Sequence, residues 1–162
     1  PHNWVTAWVA ITDSNENNGC MRMWSGSHKD NLKDHDQKFN EGNLLTRGQT
    51  VKDVPKEKTT PLILKAGQMS LHHPTIVHGS DLNRSDDRRI GFVIQSYIGT
   101  NVRQVLGKNG VQLARGKDNY DFHEIIERPK SLMDKNDIKI KKQENNNLQE
   151  IFYKGSSKKG TY

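Results

Sequence analysis

The sequence predicts a mainly β domain of the sandwich or barrel class, and three stretches carry that reading. In residues 4–11, Val5, Ala7, Val9 and Ile11 alternate with Trp4, Thr6, Trp8 and Ala10, so the strand is largely apolar on both faces. After Arg89 the chain runs Ile-Gly-Phe-Val-Ile-Gln-Ser-Tyr-Ile, a second clear strand. Turn-rich clusters at 12–19 and 81–87, built from Asp, Asn and Ser, separate such segments. Many short strands joined by turns close as sandwiches or barrels.

The remaining elements follow in order. Cys20–Trp24 is the strand returning from the first turn. Residues 26–60 read mostly as loop, and a loop of that length in a compact domain is usually functional or mobile. Leu62–Leu64 is a short strand, and Ala66-Gly67 turns into a limb interrupted by Pro74. On the 89–98 strand, Ile90, Phe92, Ile94 and Ile98 share one face, suited to packing on covering helices. Arg89, Gly91, Val93, Gln95 and Tyr97 share the other, which faces a cavity. Residues 101–106 are extended and 107–128 irregular. Pro129 and Ser131 suggest a helix start, with Leu132, Ile138, Leu148 and Ile151 as anchors and an end near 152.

Composition narrows the classes. The 162 residues suffice for one domain with a core, yet only 31% are hydrophobic. A mean hydropathy of −0.92 is lean for an enzyme domain. A solvated tail and a partly absent core both account for it. The single cysteine, Cys20, excludes an internal disulfide framework. No stretch has the apolar length of a membrane span and no secretory signal is visible, so a cytoplasmic chain is expected. The net charge of +6 is partly local to the lysines of 129–162. These read as a solvated helix face and tail rather than a nucleic-acid surface.

The chemistry lies at the two ends of the 81–87 turn. His78 closes the first limb and Arg89 opens the second, so a hairpin-like return brings an imidazole and a guanidinium to one wall. Imidazole suits Fe(II), and the arginine fork suits a carboxylate. Arg84 and Arg88 compete with Arg89 but sit in the polar turn.

Six segments then occur in a recognisable order. They are Val5-Thr6-Ala7-Trp8-Val9-Ala10-Ile11, Asn18-Gly19-Cys20-Met21-Arg22, Ser25-Gly26-Ser27-His28-Lys29, Gly42-Asn43-Leu44-Leu45-Thr46-Arg47-Gly48-Gln49, Ala66-Gly67-Gln68-Met69-Ser70-Leu71-His72-His73, and His78-Gly79-Ser80 through Asn83-Arg84-Ser85 to Arg88-Arg89-Ile90-Gly91. In this the chain resembles a bacterial member of the phytanoyl-CoA dioxygenase family of Fe(II)/2-oxoglutarate oxygenases. The resemblance implies a double-stranded β-helix, a jelly-roll variant. Residues 1–128 would be the C-terminal part of the jelly-roll, and 129–162 a helix and basic tail of the same domain. It implies His78 as iron ligand, and Arg89, Ser80 and Trp8 around the cosubstrate 2-oxoglutarate.

The family's other metal motif, His-x-Asp, lies upstream of the Val-Thr-Ala-Trp strand. The chain begins at Pro1, and His2 is followed by Asn3 and Trp4. It therefore reads as N-terminally truncated, lacking two of three iron ligands and catalytically incompetent by itself. A homo-oligomer that hides the missing layer is expected. One literal His-x-Asp exists, His28-Lys29-Asp30, which by pattern alone completes a triad with His78. The family carries this Gly-Ser-His-Lys segment in addition to its metal motif, so His28 is expected to anchor a loop. His72 and His73 alternate faces, so one of them can point into the cavity. The 43–49 loop could contact a polar substrate, which in the intact protein would be a small organic molecule. The alternative reading is a non-catalytic jelly-roll that binds a small carboxylate or a protein partner.

Overall fold

The computed structural model describes residues 3–30, 32–37, 49–107 and 109–155. Two antiparallel three-stranded sheets organise the first compact unit, whose described part runs from 3 to 98. In the first sheet, β1 (Trp4–Ala10) lies between β6 (Met69–His72) and β8 (Gly91–Ile98). In the second, β2 (Met21–Trp24) lies between β5 (Thr59–Pro61) and β7 (His78–Ser80). A separate hairpin pairs β3 (His35–Gln37) with β4 (Gln49–Val51). Those two strands arise within what the sequence suggests is loop. The expected strand at Leu62–Leu64 is displaced. Pairing with β2 ends at Pro61, and Leu64 makes only an isolated bridge to Ser14. The fold is a jelly-roll, mainly β with one C-terminal helix, as expected.

Registry sets which side chains face inward. Trp8 stands opposite Ser70 and Val93, and Ala10 opposite Gly91. Trp8 and Ala10 are buried with Met21, and Met23, Leu62 and Leu64 pack on them. This side of the first sheet therefore faces the second. Gly91 is needed there because a Cβ would lie 2.1 Å from Cζ2 of Trp8. The opposite face carries Ala7, Val9, Met69, Leu71, Phe92 and Ile94. Met69, Leu71 and Phe92 are mostly exposed, so the packing expected on the Phe92 side is not made by the described residues. Among the described residues, β6 and β8 are the edge strands of this sheet.

A β-bulge corrects the simple alternation expected along β8. The register slips between Val5 and Ala7, so Val5 faces Tyr97 while Ala7 faces Ile94. Tyr97 thereby joins the Phe92 face, and Ile98, opposite Trp4, joins the Trp8 face. The carbonyl of Gln95 at the slip accepts bonds from Trp4 Nε1 and Thr6 Oγ1, both at 3.0 Å. No periodicity argument contains the extra residue.

The two turns pack on each other. Gly19 has φ +73°, and a Cβ there would meet the Asp81 carbonyl at 2.7 Å. Arg84 N donates to the Asn17 carbonyl at 2.9 Å. Asn83 accepts from Ser85 and donates to the Asp87 carbonyl, closing the second turn on itself. On the other side of the first turn, Asp13 accepts from Lys65 Nζ at 2.8 Å and Ala66 N at 2.9 Å, and these contacts hold its carboxyl below the usual range.

The second unit, in its described part, runs from 99 to 155. Residues 101–106 form no strand, but a two-residue parallel pair joins β9 (Gly110–Val111) to β10 (Glu124–Ile125). Helix α1 spans Lys135–Phe152. It begins four residues after Ser131 because Asp134 is the residue that caps it, accepting from Asn136 N and Asp137 N. Leu132 is thus outside the helix and 94% exposed, not an anchor. Glu144 fastens the helix by accepting from Gly110 N at 2.8 Å and Asn109 Nδ2 at 3.1 Å. This unit begins well before the helix-and-tail segment at 129. Among the described residues, no helix is long and apolar enough to cross a membrane.

Two outcomes follow from this packing. Gly91→Ala is expected to destabilise the protein by about 1–3 kcal/mol, since the indole ring has nowhere to move within a close-packed face; chemical denaturation measures it. Asp134→Ala should cost about 1 kcal/mol and fray the first turn of α1, read as lost helical circular dichroism before global melting.

Candidate functional site: an arginine, a serine and a tryptophan beside two inward histidines

The inner wall of the second sheet is set by β2 and β7. Met21 pairs with Ser80 and Met23 with His78, so Ser80 and His78 share the face that carries the core methionines. That face looks toward Trp8. The side chains of His78 and Ser80 are thus two residues apart on one strand and point the same way.

Arg89 reaches this wall from the segment leading into β8; the expected hairpin is not made, because β7 pairs with β2 and β8 with β1. Its Nη2 donates to Ser80 Oγ at 3.3 Å, and its Cζ lies 5.9 Å from the centre of the Trp8 ring. The Nε–H of Arg89 is buried and has no hydrogen-bond partner among the described residues. A guanidinium that bonds a hydroxyl, lies over an indole and keeps a buried donor unpaired among the described residues can take up a carboxylate.

The backbone around Arg89 is pinned on both sides by one hydroxyl. Thr12 Oγ1 donates to the Arg88 carbonyl at 2.8 Å and accepts from Ile90 N at 2.8 Å. Ile11 N adds a bond to the Ile90 carbonyl at 2.9 Å. Thr12 stands in a stretch that reads only as turn, and the signal for its role is tertiary. Arg84 and Arg88, the sequence competitors of Arg89, are exposed in the turn.

His78 has one ring nitrogen committed. Its Nδ1 lies 2.9 Å from the Ile76 carbonyl, an acceptor only, so Nδ1 carries the proton and the lone pair sits on Nε2. A backbone carbonyl on the far nitrogen is the usual orienting contact of a metal-binding imidazole. His72 also faces inward, opposite Thr6, and its ring centre is 5.8 Å from that of His78. Burial, and secondarily the neighbouring His78, hold the His72 imidazole below its usual range, so it stays neutral at pH 7.

The other histidines go elsewhere. His73 bonds Thr75 through Nδ1, and its ring lies 5.7 Å from that of His28. His28 sits in the 3-10 turn Ser27–Lys29, which is tied to the chain by Val77 N donating to Ser27 Oγ at 2.9 Å. Asp30 is paired with Lys33 at 2.6 Å. Asp30 is thus paired away from His28, whose ring lies against His73, and the two do not form a triad with His78. Among the described residues, no three His, Cys, Asp or Glu side chains are grouped to hold a metal ion. The Arg89 and Ser80 donors suit a carboxylate, and the Nε2 of His78 suits one position on a metal ion. Of the 43–49 loop, residues 43–48 lie outside the described residues, and Gln49 begins β4.

Comparison with known proteins bears on this arrangement. The model of the phytanoyl-CoA dioxygenase family matches residues 1–91, more than half of the chain and the stretch that contains Trp8, His78, Ser80 and Arg89. Human peroxisomal phytanoyl-CoA dioxygenase is 33% identical over 86 residues, which is 52% of this chain and 25% of the human protein. The mouse enzyme is 30% identical over 107 residues, 65% of this chain and 31% of the mouse protein. The chain thus spans about a quarter to a third of the curated relatives it matches. Among solved structures, the non-heme monooxygenase ThoJ in its apo form superposes with a TM-score of 0.75 at 29% identity, over 91% of this chain and 52% of ThoJ. The nickel complex of ThoJ gives 0.72 at 27% identity, over 93% of this chain and 51% of ThoJ. Its family motifs, jelly-roll fold and arginine-flanked histidine strand all agree: the chain is a dioxygenase-family domain and belongs to the phytanoyl-CoA dioxygenase family.

Proposed function

We propose that this domain binds 2-oxoglutarate through Arg89, Ser80 and Trp8, and presents His78 Nε2 as one ligand of a ferrous ion. The intact protein would be an Fe(II)/2-oxoglutarate-dependent oxygenase acting on a small organic substrate. The observation that carries the reading is the orphaned, buried Nε–H of Arg89 beside a Ser80-bonded Nη2. A five-carbon dicarboxylic acid can place its distal carboxylate on that fork and its 2-oxo end toward His78. Trp8 closes one side of the wall, and its ring excludes water from the ion pair, which strengthens it. Thr12 holds the Arg89 backbone, so the fork is set before ligand arrives.

The described residues contribute one metal ligand, so on this reading they form the cosubstrate wall rather than a working centre. The same observation supports a second reading, a jelly-roll module that holds a small carboxylate without iron. Added Fe²⁺ separates them: on the first reading it tightens 2-oxoglutarate binding and His78→Ala removes the gain, whereas on the second it changes nothing.

Calorimetric titration of the chain with 2-oxoglutarate is the direct check. Binding without added metal is expected, and Arg89→Ala should weaken it about 10- to 100-fold, the worth of a hydrogen-bonded charge pair. An unchanged affinity in Arg89→Ala refutes the carboxylate site. Thr12→Val keeps the guanidinium but frees its backbone; it should lower affinity several-fold while Arg89→Lys, which lacks the fork, does worse.

A further inference from the structure

We propose that His72 is a second imidazole for the cation held by His78, and that the pair binds a borderline divalent ion such as Zn²⁺, Co²⁺ or Ni²⁺. The inference rests on the reading of His78 as a metal ligand and adds a donor to it. The two rings come from different sheets, His72 from β6 and His78 from β7, and both lie on the faces turned toward each other.

Their spacing suits a shared ion. Two imidazoles on one cation, each at a metal–nitrogen distance of about 2.1 Å, hold their ring centres about 5 Å apart. The observed ring-centre distance is 5.8 Å, with the rings tilted by 55°. The nitrogens are also sorted correctly. His78 Nδ1 is bonded to the Ile76 carbonyl, and His72 Nδ1 lies 3.3 Å from Ser70 Oγ. The carbonyl on His78 Nδ1 leaves Nε2 for the cation, and the Ser70 hydroxyl can accept from His72 Nδ1–H, the tautomer that does the same there.

The chemistry selects the ion. Imidazole nitrogens favour zinc, cobalt, nickel and iron over magnesium and calcium, which require oxygen donors. Ser70, whose hydroxyl lies 3.3 Å from His72 Nδ1, and Thr6, opposite His72 in register, bring no charge. Beside it, His73 offers the contrast: its Nδ1 is taken by Thr75 and its ring lies against His28.

Titration of the whole chain with Co²⁺, followed by visible absorption and by calorimetry, tests the pair. Wild type should take up one ion that shifts the two imidazole signals in proton NMR. His72→Ala and His78→Ala should each weaken that binding about tenfold or more. Where His72→Ala perturbs the apo circular dichroism, His72→Gln serves instead, since it keeps a polar side chain of similar reach. If the His72 variants bind Co²⁺ as wild type does while His78→Ala does not, His72 is a packing residue and the inference fails alone. If neither position affects Co²⁺ binding, the His78 reading fails with it.

Discussion

The indole of Trp8 occupies the space that a side chain at position 91 would need, and much of the domain depends on that exclusion. Because Gly91 is bare, β1 and β8 approach with Trp8 laid across the strand that follows Arg89. The ring then serves two surfaces. One side packs into the core with Ala10 and Met21; the other meets the Arg89 guanidinium. A single aromatic residue thus couples the stability of the sheet pair to the position of the cation that reads a carboxylate. Loss of either partner would be felt in both.

Around that contact the backbone is prepared rather than left to adapt. The Thr12 hydroxyl bonds the chain on each side of Arg89, and the 12–19 turn packs against the 81–87 turn through Gly19 and Asn17. The return from His78 to Arg89 is therefore a braced loop, closed internally by Asn83 and Ser85. Bracing matters because an arginine fork gains orientation only when its own freedom is already spent. On the far side of the sheet, Met69, Leu71 and Phe92 remain mostly open to solvent.

The histidines show how register distributes chemistry. Alternation separates neighbours in sequence, so His72 turns toward His78 while His73 turns toward His28. The literal His28-x-Asp30 pattern gathers no metal set among the described residues, because Asp30 pairs with Lys33 and the His28 ring lies against His73. Spacing along the chain proposed that triad, and distance in space removed it. The reverse holds for Arg89 and Ser80, nine residues apart in sequence and within hydrogen-bond distance in the fold.

Local chemistry in the sequence was enough to place β1, β8, the two turns and the helix end near 152. Each depends on contacts between near neighbours or on a period of two, which the residues carry themselves. The start of the helix was legible only in part, because Ser131 and Asp134 are both good caps and the surroundings chose Asp134. The bulge at Gln95, the Thr12 clamp, the shift of β5 to Thr59–Pro61 and the meeting of His72 with His78 were decided by tertiary structure alone. All of these are set by how two sheets face one another, a relation among residues tens of positions apart that no local pattern encodes.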